Sequence, residues 1–387
     1  MSTTGALRTI GTLSTVGALS TVGALSTVGA LATVGILGTV AGTAGATPSP
    51  RAAITSAQPW PQQLHGWGVR FGDLPVQAPG TPYLYGLQPN RAHPDKSHLQ
   101  RLDVRSGQWA ITSQVPLPAG SQVVPVGKSL ALISPTRGKS AGQIFFDVRT
   151  IAASGSLGQA VRLSAAASFS ASPSFAGADP AGEIWASLGK RLVAMSLSTG
   201  KEILASQPLP SAVTSLAVQP GGQAVYAGYV ATKGRSWVPM VAQVNGHNGK
   251  IVARRAVPGV DEAVLYAATS TGVWAVGGSG HTLAQFFLSG PHLGLVSPSA
   301  GMAPQSFLST AGVVIVLGNT TWLASRDGLA CATPSGHVAA WELFAPVTKY
   351  DRKSLTPVAF FHGLVYGVPT YGPAGSIASV QPPPACS

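Results

Sequence analysis

Residues 191–210 read RLVAMSLSTGKEILASQPLP. An apolar run is followed by Thr199-Gly200 and a second short apolar run, which is the pattern of a tight hairpin. The small polar residue supplies a side-chain acceptor, and the glycine tolerates positive φ. The same pattern stands in residues 98–117, HLQRLDVRSGQWAITSQVPL, around Ser106-Gly107, and in residues 240–259, MVAQVNGHNGKIVARRAVPG, around Asn248-Gly249. It returns in residues 328–344, GLACATPSGHVAAWELF, around Ser335-Gly336, with weaker copies at Ser154-Gly155 and Ser289-Gly290. The glycines Gly107, Gly155, Gly200, Gly249, Gly290 and Gly336 are 48, 45, 49, 41 and 46 residues apart. One such dipeptide means little in a β-protein. Even spacing near 46 residues is the length of one four-stranded propeller blade.

Upstream of each of the last five turns lies a further apolar strand: residues 129–134 (SLALIS), 183–188 (EIWASL), 223–230 (QAVYAGYV), 272–276 (GVWAV) and 312–317 (GVVIVL), with 363–368 (GLVYGV) after the last turn. Their apolar residues alternate or run on continuously, as expected of inner strands buried between neighbouring blades. Composition agrees. Only 9% of the 387 residues are charged, while 47 Gly and 31 Pro suit short strands joined by turns better than long helices. The fold class is therefore all-β, a single β-propeller over residues 60–387. Six turns plus the tail strand 376–380 give seven four-stranded blades, about 49 residues each over the 341 residues that follow position 46. Closure requires one blade to combine strands from both chain ends, and residues 60–76 are placed to supply the missing outer strand.

These repeats resemble the quinoprotein-like propellers, whose blades end in a strand, an Asp-x-x-Thr-Gly-like turn and a strand bearing Trp. Asp103 matches the turn acid in one copy, Ser196 and Asn245 stand there in others, and Trp109 and Trp341 approximate the docking Trp. Leu204 and Ala253 take the Trp position elsewhere. The resemblance implies propeller architecture over most of residues 83–387. A quinoprotein dehydrogenase would also need acidic and Asn ligands for a calcium ion, and the shortage of acids opposes that. No cofactor is expected.

Residues 5–40 repeat a hexapeptide, GALRTI, GTLSTV, GALSTV, GALSTV, GALATV, GILGTV, with no charge between Arg8 and Arg51. On a helix a six-residue step turns by about 240°, so the segment is apolar all round and forms no amphipathic stripe. Arg8 and the small residues Ala44-Gly45-Ala46 fit a secretory signal peptide over residues 1–46. The alternative is an uncleaved membrane anchor over residues 7–42. A Pro- and Ser-rich linker spans 47–59. In an exported chain, Cys331 and Cys386 read as a disulfide pinning the C-terminal tail.

Twenty-four Lys and Arg against twelve Asp and Glu give a net charge of +12, through depletion of acids. Such a balance suits an acidic medium or an anionic cell wall. The cations are scattered, without a basic stripe interleaved with aromatics, so no specific nucleic-acid binding is expected. The eight Trp are expected to fill the spaces between sheets. His93-Pro94-Asp95-Lys96-Ser97-His98 is the one local cluster of metal-ligand residue types, and no metal site is expected there. No catalytic motif stands out. The loops around His93, Asp95 and His98, around Lys233 and Arg235, and around Lys349, Arg352 and Lys353 are the candidate binding elements. The reading is an exported, non-catalytic, monomeric binding or scaffold module of the cell envelope or extracellular space. One face would take a protein, polymer or small ligand, with membrane contact only if the N-terminal segment is retained. The alternative is an exported propeller enzyme: a quinoprotein oxidoreductase, a lyase or a glycan-active enzyme.

Overall fold

A computed structural model of the chain describes His65–Gly66 and residues 74–387, except 91, 107, 113–115, 139–142, 169–172, 179–181, 235, 258–261, 280–281, 297–312, 318–319, 325–327, 344–354, 370–375 and 387. Residues 1–46 and 47–59, to which the signal or anchor and the linker were assigned, lie outside the described residues.

The chain is all-β, with seven antiparallel four-stranded sheets in a ring. Blade 1 consists of Val76–Gln77, Tyr83–Pro89, Lys96–Asp103 and Gln108–Ile111, and blade 2 of Gln122–Val126, Ser129–Arg137, Gln143–Ile151 and Val161–Arg162. Blade 3 consists of Phe175–Ala178, Glu183–Leu188, Arg191–Ser196 and Glu202–Ala205, and blade 4 of Val213–Val218, Ala224–Lys233, Ser236–Asn245 and Ile251–Ala256. Blade 5 follows with Glu262–Ala268, Gly272–Ser279, Thr282–Ser289 and Gly294–Val296, and blade 6 with Val313–Leu317, Thr320–Ala324, Gly328–Ala332 and Val338–Leu343. Two further short strands, Leu117–Pro118 and Ala167–Ser168, extend blades 1 and 2.

Blade 7 joins the two ends of the chain. Its strands Leu355–Phe361, Leu364–Pro369 and Ser376–Val380 are completed by His65–Gly66, with His65 opposite Ile377 and Gly66 opposite Ser376. The first strands touch in chain order around the ring, and Leu355–Phe361 meets Val76–Gln77 to close it. Closure in this way leaves no open edge between first and last blade.

The core is divided among seven blade interfaces, each with its own apolar cluster. One position organises six of them. The third residue of the second strand is Tyr85, Trp185, Tyr226, Trp274, Trp322 or Tyr366, all buried, each in the cluster shared with the following blade. Burying such a ring contributes roughly 3 kcal/mol. Blade 2 has Ala131 there, and its interface is filled instead by Phe146 and Phe175, edge to face at 5.0 Å between centroids. The expected packing of Trp between sheets holds for Trp185, Trp274 and Trp322, but Trp237 departs from it at 74% exposure.

The periodic Ser-, Thr- and Asn-Gly turns join the third and fourth strands of blades 1–6. Gly200 and Gly249 both have φ of +69°, and an added Cβ would also overlap the backbone of the preceding blade at Arg162 and Ala205. Their carbonyls accept hydrogen bonds from Ser164 N (2.8 Å) and Gln207 N (3.0 Å) of that neighbour. Glycine is thus required for conformation and for close approach together. The residues matched to the turn acid act alike. Asp103 Oδ1 accepts from Arg105 N at 3.0 Å, Ser196 Oγ from Thr199 N at 3.3 Å, and Asn245 Oδ1 from His247 N at 2.9 Å.

One expectation needs correcting. Of the six apolar strands taken as inner strands, only 312–317 corresponds to the innermost strand of its blade, Val313–Leu317. The others are second strands. A second strand is paired along both edges and covered on both faces, so its apolar run is the most continuous, as in Glu183–Leu188.

Candidate functional site

Every blade is an antiparallel meander and the first strands line one ring, so the connections sort by face. Links between second and third strands, and links from one blade to the next, emerge on one side, called here the hairpin face. Links between first and second and between third and fourth strands emerge on the other, the turn face.

Two of the candidate loops have described residues on the hairpin face. His93 and Asp95 are exposed in the link between the second and third strands of blade 1, and Lys233 ends the second strand of blade 4. Arg235, Lys349, Arg352 and Lys353 lie outside the described residues. The strands flanking the last three, Val338–Leu343 and Leu355–Phe361, respectively end and begin on the hairpin face. Three members missed as candidates join them: Arg137, Lys190 and Arg191, all exposed. Each sits at the junction of a second and third strand, one strand upstream of a turn glycine, and that spacing was the available signal.

Charge differs between the faces. On the hairpin face, Lys96, Arg137, Lys190, Arg191 and Lys233 come from four consecutive blades, and Asp95 is the one carboxylate beside them among the described residues of these links and strand ends. On the turn face, Arg105, Lys128, Lys201 and Lys250 are interleaved with Asp103, Glu183 and Glu202. Two ion pairs occur among the described residues, Arg105–Asp103 at 2.6 Å and Arg162–Asp147, and neither involves a hairpin-face cation. The Arg105 guanidinium, hydrogen-bonded to Asp103, holds that carboxyl below the usual carboxylate range. The hairpin-face cations therefore add to a positive field extending about 8 Å at physiological ionic strength.

His98 is separated from His93 and Asp95 by its environment. It lies partly buried on the third strand of blade 1, on the strand face shared by Leu102, which packs against blade 7. With Gln88, Asn90 and Gln100 it forms a polar cluster at the closing seam: Gln100 donates to Gln88 Oε1, and Asn90 Nδ2 lies 3.3 Å from His98 Nε2. His98 Nδ1 and Gln100 Oε1 are buried there with no protein partner. Among the described residues no three His, Cys, Asp or Glu gather as a metal site. On the turn face, an open cavity of about 200 Å³ between blades 3 and 4 is lined by Glu183, Ile203, Leu204, Gly222, Gly246 and His247.

Cys331, in the third strand of blade 6, and Cys386, in the 3₁₀ turn Pro384–Cys386, stand at disulfide distance, with Cα atoms 5.9 Å apart. Both are buried in the cluster between blades 6 and 7. No helix among the described residues is long and apolar enough to cross a membrane.

Together these features define a seven-bladed β-propeller with a cation-bearing hairpin face. No family model matches the chain, and neither does any curated protein. Among solved structures it is similar to Kuenenia stuttgartiensis hydrazine synthase, at 10% identity and a TM-score of 0.49, over 83% of this chain and 97% of that one.

Proposed function

We propose that this protein is an exported, non-catalytic β-propeller that binds a partner through its hairpin face, at the cell envelope or outside the cell. The observation that carries the binding role is the set of cations that four blades carry on one side, with Asp95 the one carboxylate among the described residues of the same links. A rigid ring displaying such groups from separate blades makes an extended surface, which suits recognition of something larger than one small molecule. Support for export comes from the apolar hexapeptide segment with its small-residue end at Ala44-Gly45-Ala46 and from the cysteine pair at disulfide distance, which fits an oxidising compartment. Amino-terminal sequencing and fractionation of the native protein test the reading. A mature chain beginning near Thr47 outside the cytoplasm is expected. A cytoplasmic pool that retains Met1 to Ala46 would overturn export, and a membrane-bound pool with the segment intact would replace cleavage by anchoring.

A further inference from the structure

Resting on the hairpin face as the binding face, we propose that its ligand is an acidic polysaccharide laid across blades 1 to 4. Lys96, Arg137, Lys190, Arg191 and Lys233 belong to four successive blades, so they form an arc and not a cluster. A small anion needs its cations to converge on one point. A polymer whose charge repeats along its length meets them one after another, and each contact adds to the last. The second feature is Trp237. It is 74% exposed, opposite Thr232 in the hairpin of two ten-residue strands, the longest strands among the described residues. An indole left in water at the end of that hairpin offers the flat apolar face on which a sugar ring stacks. Lys233 and Trp237 belong to the same hairpin, in the neighbouring pairs Lys233–Ser236 and Thr232–Trp237. The turn face also carries one cation from each of these blades, but Asp103, Glu183 and Glu202 are interleaved with them, and no exposed indole stands there among the described residues.

The test measures binding of the full chain to polygalacturonate, with dextran as neutral control and a single-stranded DNA oligonucleotide as the competing polyanion, at low and high salt. Two double variants impose the same change in net charge on opposite faces: Lys190→Glu with Arg191→Glu on the hairpin face, and Lys201→Glu with Lys250→Glu on the turn face. Unchanged thermal midpoints certify that both fold. The hairpin-face pair should weaken polygalacturonate binding about tenfold or more and the turn-face pair less than about twofold, with added salt abolishing what remains. Trp237→Ala should weaken it by about fivefold, and dextran should not bind. Equal losses from the two double variants would reduce the interaction to net charge and overturn the proposal. Tighter binding of the oligonucleotide would assign the face to nucleic acid instead. An exported protein that binds neither polyanion would overturn the ligand class while leaving the exported module standing.

Discussion

Gln77 and Phe360, 283 positions apart, are joined by two hydrogen bonds across the seam where the ring closes: Gln77 Oε1 accepts from Phe360 N and Gln77 Nε2 donates to Phe360 O, both at 3.1 Å. The carboxamide of blade 1 thereby pairs with the innermost strand of blade 7 as a peptide group of a neighbouring strand would. Its Nε2 also donates to Thr81 O at 2.9 Å, which fixes the side chain from its own blade. Gln77→Ala should cost about 1–3 kcal/mol, because both groups of Phe360 lose their partner. Denaturant unfolding measures the loss, and hydrogen exchange should locate it at the Phe360 amide. Unchanged protection there would show that the seam holds without this contact.

Gly336 and Gly290 occupy equivalent turns with φ of +87° and +75°, but their surroundings differ. A Cβ at Gly336 would overlap the Phe287 ring of the preceding blade, whereas one at Gly290 would meet nothing within 4 Å. Gly290→Ala should cost about 1 kcal/mol for the backbone alone. Gly336→Ala should cost at least about 2 kcal/mol more, since Phe287 must leave its place beside Trp274. Thermal unfolding of the two variants side by side reads the difference.

Cys331 and Cys386 are 55 positions apart, and a bond between them would stabilise the folded chain by roughly 2–4 kcal/mol through restriction of the unfolded state. Unreduced protein should show no free thiol. Cys386→Ser should lower the midpoint and raise exchange first in Ser376–Val380, with the other blades following only at higher denaturant.

Burial raises the phenol pKa of Tyr226 above its ordinary value of 10.0, and burial is likewise the largest cause for Tyr85, Tyr229 and Tyr366. A folded-state pKa above the unfolded one means that the unfolded chain loses its protons first. Stability is therefore complete below about pH 10 and falls as pH rises through the folded values. Tyr226→Phe should lessen this alkaline loss. Urea unfolding across the alkaline range, with phenolate absorbance recorded alongside, checks both the direction and the residue.

The turn glycines were legible because each satisfies several demands at once. Gly200 needs positive φ, a preceding side-chain acceptor and room against Arg162, so its context recurs from blade to blade. The aromatic third residue of the second strand was equally present, but Tyr226 and Tyr366 alternate with Trp185 and Trp274, and a search for Trp alone passes over the pattern. The innermost strands were not legible. Val76–Gln77 is two residues long and only partly buried, too short to carry a period. The cations looked scattered because Lys96, Arg137, Lys190 and Lys233 are each separated by about one blade of sequence, and only the winding of the chain gathers them on one side.

The pairing of His65–Gly66 with Ser376 and Ile377 also sets an order of events during synthesis. Blade 7 has no fourth strand until its third has been made, so two residues near one end wait for more than 300 others before they find their partner. Blades 1 to 6 are each continuous in sequence and free to form as they emerge from the ribosome. The ring itself is finished only after Ser376 and Ile377 have been made. A molecule halted short of residue 376 would present a curved run of finished blades whose two end interfaces both lack the completed blade that fills them.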